Sequence, residues 1–253
     1  MKYEIIPPPL FLAPYVRYFW TMEGDEINGL SQAFGSMVDG CPGLICQDSL
    51  VMNDKPLPDA FLYGQTTKHI EITATQHFHS IGVIFHPNAL KSVFGIHAGE
   101  LTNTCIDPDM ISVNNYLSEQ LSETPSSIQQ VKILQSYLKA QININQVTID
   151  KRVEHAVSRI LTSNGSISMK DLQGELQLTE KSFERKFKEC VGIPPKLFSR
   201  ICRYQASLQQ LKNNEYNKLS DIAYENDYAD QAHFIRSFKE FTGCSPFQFQ
   251  KRK

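Results

Sequence analysis

A chain of 253 residues, 41% hydrophobic and with a net charge of −2, holds enough apolar material for two cores of ordinary size. No apolar run reaches the ~18 residues of a membrane helix, and Met1-Lys2-Tyr3-Glu4 lacks the apolar start of a secretory signal, so a cytoplasmic location is expected. Residues 1–150 (7 Lys/Arg, 15 Asp/Glu) balance to −8 and residues 151–253 (18 and 12) to +6, which disfavours the first stretch and favours the second as partner of a polyanion.

Residues 1–110 read as strands and turns. Pro7-Pro8-Pro9 and Pro14 prevent an early helix, and Tyr15-Val16-Arg17-Tyr18-Phe19-Trp20 is rich in strand formers. Asp39-Gly40 and Pro42-Gly43 are turn dipeptides. From Ile70 to Phe85 the chain alternates and then becomes continuously apolar at Ile81-Gly82-Val83-Ile84-Phe85, as in a strand covered on both faces. Short strands at this spacing suggest a β-barrel or sandwich. Pro87 is expected in the first turn of a short helix through Leu90.

At Ser126 the period changes. Ile128, Val131, Leu134, Leu138 and Ile142 make one helical stripe over about 126–142, which could cap the β domain or pair with a second copy of the chain. The polar stretch Asn143–Asp150 reads as a linker, which divides the chain into residues 1–145 and 146–253. Everything after it is helical in pattern. Ser168, Thr179, Ser220 and Asp230 are expected N-caps, and Asn164-Gly165 and Asn213-Asn214 are expected stops. Pro194-Pro195 opens a long helix that faces Leu197, Ile201, Tyr204, Leu208 and Leu211 inward.

One helix occurs twice. Phe183-Glu184-Arg185-Lys186-Phe187-Lys188-Glu189 returns fifty-one residues later as Phe234-Ile235-Arg236-Ser237-Phe238-Lys239-Glu240, and each copy runs on in register to Gly-x-x-Pro or Gly-Cys-Ser-Pro at Gly192 and Gly243. Two Phe four apart face one way, and the 100° step per residue turns Lys181, Arg185 and Lys188 the other way. In the second copy the same step exposes Ala232, Arg236 and Lys239, with Gln231 in the first turn and His233 at the flank. Each unit is a short helix, a tight turn and a second helix with charged outward residues, the helix-turn-helix pattern. Two such heads in one chain suit successive stretches of a DNA major groove.

The run Asp221-Ile222-Ala223, then Tyr228 to Pro246 through Gln231-Ala232-His233-Phe234-Ile235-Arg236, resembles the signature of the AraC/XylS family of bacterial transcription regulators over about residues 150–250. Asp39-Gly40-Cys41 and Gly82-Val83-Ile84-Phe85-His86-Pro87 resemble that family's sensor domains more loosely. The resemblance implies an α+β chain: an N-terminal β-rich, barrel- or sandwich-like sensor domain, then an all-α double helix-turn-helix of seven helices. It also implies a ligand-responsive regulator, expected to act as an activator. The DNA-binding set it implies is Lys181, Ser182, Glu184, Arg185, Lys188, Gln231, Ala232, His233, Arg236 and Lys239. Candidate partners are double-stranded promoter DNA, a small-molecule effector, RNA polymerase and a second copy of the chain, with no membrane and no cofactor. Two positions depart from the pattern: Asp227 stands in the second turn where the family usually has Gly, and Gln173 replaces a small residue.

Arg185 and Arg236 suit bidentate contacts to guanine, Lys188 and Lys239 suit phosphates, and Glu184 can accept from cytosine N4. A rival lies in His77 and His79, two apart on an expected strand with His86 and His97 nearby, which could ligate metal in a cupin-like enzyme fused to a DNA-binding domain. A constitutive DNA-binding protein with a dimerisation-only N-terminal domain is the third reading. No G-x-x-x-x-G-K-[ST] or G-x-S-x-G occurs, so no enzyme activity is expected. The six cysteines show no C-x-x-C spacing and read as free, mostly buried thiols.

Overall fold

The strand formers of the first hundred residues pair into two antiparallel sheets. A computed structural model of the chain describes residues 2–24, 32–34, 38–48, 50–52, 55–70, 72–74, 78–111 and 116–251. Its strands are β1 (Lys2–Ile6), β2 (Val16–Gly24), β3 (Gln32–Phe34), β4 (Gly43–Gln47), β5 (Leu50–Met52), β6 (Lys55–Pro56), β7 (Ala60–Tyr63), β8 (Ile72–Ala74), β9 (Phe78–Phe85) and β10 (Cys105–Ile106). The larger sheet runs β1-β2-β9-β4-β7-β10 and the smaller β3-β8-β5-β6. The expected alternation from Ile70 to Phe85 is thus divided between two strands in different sheets.

The larger sheet is covered on both faces. Side chains alternate along a strand, so Leu44 and Cys46 of β4, Leu62 of β7 and Val83 and Phe85 of β9 join one core. Ile45, Phe61, Tyr63 and Ile84 join another on the opposite face. This double covering is why Ile81–Phe85 reads as an unbroken apolar run.

Helices close the first face: α1 (Leu90–Phe94), α2 (Leu117–Ser122) and α3 (Ser127–Asn145). Val131, Leu134 and Leu138 of α3 are buried with Leu90, Val93 and Phe94 of α1, and Phe94 meets Phe85 edge-on at 5.6 Å. Each such burial contributes about 1.5–3 kcal/mol. The apolar stripe of α3 is therefore spent inside the chain, and its outlying member Ile128 is 69% exposed. Pro87 does not start α1. It lies in a turn closed by the Ala89 N–H to the His86 carbonyl (3.0 Å), and the helix begins at Leu90. Helix α3 runs on to Asn145, three residues into the expected linker, and stops where Gln146 turns left-handed at φ 48°.

After residue 150 come α4 (Lys151–Thr162), α5 (Met169–Leu176), α6 (Glu180–Val191), α7 (Pro195–Asn213), α8 (Leu219–Glu225), α9 (Gln231–Thr242) and α10 (Pro246–Lys251). Pro195 at the first position of α7 lacks only an N–H that would have no helical partner. The caps form largely where the sequence puts them. Ser168 accepts from the Asp171 N–H (3.3 Å), Thr179 from Ser182 (3.3 Å) and Asp230 from His233 (2.6 Å). Ser220 is an exception. Helix α8 starts at Leu219, and the Asp221 carboxylate reaches back to the N–H groups of Lys218 (2.7 Å) and Asn217 (3.2 Å). A charged acceptor three residues inside the helix satisfies those donors better than a hydroxyl at residue 220.

The core of this part is aromatic. Phe183 and Phe187 stack edge-on at 5.7 Å, as do Phe234 and Phe238 at 5.7 Å. Helix α7 joins the two units, with Phe198 against Phe187 (5.6 Å) and Tyr204 against Phe238 (5.8 Å) and Phe241 (5.1 Å). All seven rings are buried.

Candidate nucleic-acid interface

Two outward-facing helices, α6 and α9, follow the short helices α5 and α8. In each, the paired Phe residues anchor one side to the core and fix the rotation of the helix about its axis, so the residues opposite them are fixed as well. Lys181, Glu184, Arg185 and Lys188 of α6 are exposed, and Ser182 is half-buried beside its Thr179 cap. Gln231, Ala232, Arg236 and Lys239 of α9 are exposed. His233 is half-buried: its Nδ1 accepts from the Ala229 N–H (3.4 Å), and its ring stands edge-on to Tyr228 at 5.3 Å. It braces the second turn as well as flanking the exposed face. Asp227 occupies that turn at φ 53°, a left-handed conformation Asp tolerates better than most side chains. The two sets of residues lie on separate helices held apart by α7 and α8.

The carboxylates near these cations are largely occupied elsewhere. Glu189 pairs with Lys91, which holds its carboxyl below the ordinary value. Glu240 pairs with Arg200, and Glu180 with Lys196 at 3.5 Å. On α5, hydrogen bonds from Arg159 and His155 bring the Glu175 carboxyl down to about 2. Among the described residues no carboxylate lies within ion-pair distance of Lys181, Arg185, Lys188, Arg236 or Lys239. The outward faces therefore present unpaired positive charge, which suits phosphates and guanine edges.

What the sequence did not reveal is how closely the β-rich part backs these helices. The Lys91–Glu189 pair joins α1 to α6, and the Thr102 hydroxyl donates to the Gly192 carbonyl at 2.8 Å. Gly192 and Gly243, the left-handed C-caps of α6 and α9 (φ 98° and 75°), both face the first domain. A Cβ on Gly192 would stand 2.9 Å from the Ala98 carbonyl oxygen, and one on Gly243 2.7 Å from the His69 ring. Val38 is buried among the helical residues, and Gln205 Nε2 donates to its carbonyl at 2.6 Å. The turn dipeptide at Asp39-Gly40 was the one local signal near this seam.

The histidines go to separate partners. His79 Nε2 lies 3.3 Å from the Ser127 hydroxyl, His86 Nε2 3.1 Å from the Ala13 carbonyl, and His97 Nδ1 3.9 Å from the Glu189 carboxylate. His77 lies outside the described residues. Among the described residues no three His, Cys, Asp or Glu side chains gather into a metal-binding group. The six cysteines are free, with Cys105 alone half-exposed. No helix among the described residues is long and apolar enough to cross a membrane.

A β-rich domain followed by two helix-turn-helix units on one connecting helix defines a double helix-turn-helix protein of α+β class. Residues 172–252 match a helix-turn-helix domain family, and residues 4–107 match a domain of unknown function, DUF6597. The run from Asp221 to Pro246 that resembles the AraC/XylS signature falls within that helix-turn-helix match. An uncharacterized HTH-type transcriptional regulator of Haemophilus influenzae is 30% identical over 103 residues, 40% of this chain and 34% of that protein, so the chain spans about a third of that relative's length. A crystal structure of ToxT from Vibrio cholerae, 14% identical, superimposes with a TM-score of 0.50 over 91% of this chain and 97% of its own, a likeness of fold.

Proposed function

We propose that the chain is a sequence-specific transcription regulator whose residues 146–253 read promoter DNA and whose residues 1–145 bind a small-molecule effector. The observation that carries this reading is the pair of core-anchored helices whose outward cations are free of carboxylate partners. Arg185 and Arg236 would contact guanine, with Lys181, Ser182, Gln231, Ala232 and His233 close enough to adjust the choice of base; Glu184 would favour cytosine, and Lys188 and Lys239 would hold phosphates. RNA polymerase and a second copy of the chain are further proposed partners.

An effector site is supported by a cavity of about 190 Å³ between the two sheets. Ile45, Leu57, Phe61, Ile72 and the buried Tyr63 line it. Such a lining suits a small, mostly apolar molecule.

The test is a binding-site selection with wild type, Arg185→Ala and Arg236→Ala. Each variant should lose about 1–3 kcal/mol of preference at its own base position, with the two positions roughly one helical turn of DNA, ~10 bp, apart. Loss of preference at the same bases in both variants, or at none, would refute two-headed reading.

A further inference from the structure

A cleft of about 680 Å³ opens where the end of β4 and the start of β9 meet α2 and α3. None of its lining residues belongs to the helix-turn-helix domain. Its floor is apolar, from buried Cys46, Ile81 and Leu121. Asp48, Asp59 and Glu119 stand exposed around it, and no Lys or Arg is among its described lining residues.

Gln130 adds an independent signal. It lines the cleft and is only 6% exposed. Its Nε2 donates to the Leu121 carbonyl at 2.9 Å, which fixes which way the amide faces, and its Oε1 has no hydrogen-bond partner among the described residues. A buried acceptor left unpaired is costly, and such atoms mark places where a donor belongs. Gln47, equally buried, has its amide fully used: Nε2 donates to the carbonyls of Leu57 (3.1 Å) and Pro58 (2.9 Å), and Oε1 accepts from the Leu50 N–H. Of the two buried amides that line the cleft, only Gln130 therefore keeps an unpaired atom among the described residues.

Beside the His79 ring and the hydroxyls of Ser118, Ser122 and Thr124, the cleft offers an occupant carboxylates and the Gln130 acceptor over an apolar floor. We propose that this cleft binds a small aliphatic polyamine. Its ammonium groups pair with Asp59 and Glu119, one N–H fills Gln130 Oε1, and its methylenes lie over Ile81 and Leu121. Charge-assisted bonds from an ammonium match the rim, and the CH₂ spacers match the floor. A neutral diol would lack the charge, and a metal ion would leave the apolar floor uncovered. This site goes beyond the DNA-reading proposal and does not rest on it.

The test is isothermal titration of the full chain, without DNA, using spermidine and 1,4-diaminobutane as probes at low salt. Saturable binding at one site is expected. Asp59→Asn and Glu119→Gln should each weaken it by about tenfold, the effect of one charge-assisted bond. Glu4→Gln on the exposed strand β1, outside the cleft, should leave it unchanged, and 1,4-butanediol should not bind. Gln130→Leu should weaken it as well; if that variant fails to fold, the two rim variants carry the test. A non-saturating titration, equal weakening by Glu4→Gln and the rim variants, or binding of the diol would overturn the proposal. Because the assay contains no DNA, its failure leaves the operator experiment untouched, and the reverse holds too.

Discussion

Replacing Asp39 by Asn measures what one half-buried, desolvated carboxylate costs at the seam between the two domains. Burial pushes its pKa from 3.8 to about 6, against the opposing pull of the Cys41 N–H (2.9 Å from Oδ1) and the Arg17 guanidinium. The folded carboxyl therefore holds its proton about two pH units longer than the unfolded one, at about 1.4 kcal/mol per unit. Below pH 3.8 both forms are protonated and there is no penalty. The penalty grows as the unfolded chain ionises and is complete above pH 6, so this group lowers stability as pH rises. Asn keeps the oxygen that accepts from Cys41 and removes the charge. Asp39→Asn should therefore be more stable than wild type by up to about 3 kcal/mol at pH 7.5, by roughly half that at pH 5, and by almost nothing near pH 3.5. Urea unfolding followed by circular dichroism across this range reads the difference directly. A gap between the two proteins that does not change with pH, or a variant less stable at pH 7.5, would refute the account of Asp39 as a desolvated acid.

Lys188→Ala and Lys239→Ala should each weaken binding to all DNA sequences alike and reduce the slope of log K against log salt by about one, measured by fluorescence anisotropy. Leu134→Ala should cost about 2–5 kcal/mol in urea unfolding, because Leu134 is fully buried between α3 and the sheet; a loss under about 1 kcal/mol would show that the stripe is not packed as described. Gly192→Ala should destabilise by at least about 1–2 kcal/mol, since φ of 98° disfavours any Cβ and this one would press on the Ala98 carbonyl. A neutral result in thermal unfolding would mean that the seam opens freely at that point.

The helix-turn-helix units were legible because their determinants are local. A Phe pair four residues apart fixes a helix face, and a Thr or Asp before it fixes the cap, so Thr179, Asp230 and the exposure of Arg185 and Arg236 follow from a dozen residues each. Ser220 misled for the same reason. A hydroxyl before Asp221 looks like a cap, yet the Asp221 carboxylate is the stronger acceptor and shifted the helix start to Leu219. The α3 stripe showed which face would be buried and nothing about what would cover it, since an apolar period describes one surface of a contact. The seam was invisible because its contacts span 98 residues for Lys91–Glu189, 90 for Thr102–Gly192 and 167 for Val38–Gln205. Side-chain hydrogen bonds and glycine caps at such separations leave no periodic trace. The cleft beside Gln130 is likewise assembled from β4, β9, α2 and α3, and no one segment carries its pattern.

Helices α6 and α9 both end in glycines that rest on the first domain, α6 at Ala98 and Thr102 and α9 at His69. One body thus holds the far ends of two heads, and linkage makes their fates symmetrical. A molecule that favours one seating of that joint and so changes operator affinity by some factor must have its own affinity changed by operator DNA by the same factor. If the proposed effector acts through this joint, DNA becomes a reagent for finding it: a compound too weak to detect on the free chain tightens once the operator is bound, provided it stabilises the seating the operator selects. A compound that releases the operator weakens by the same measure.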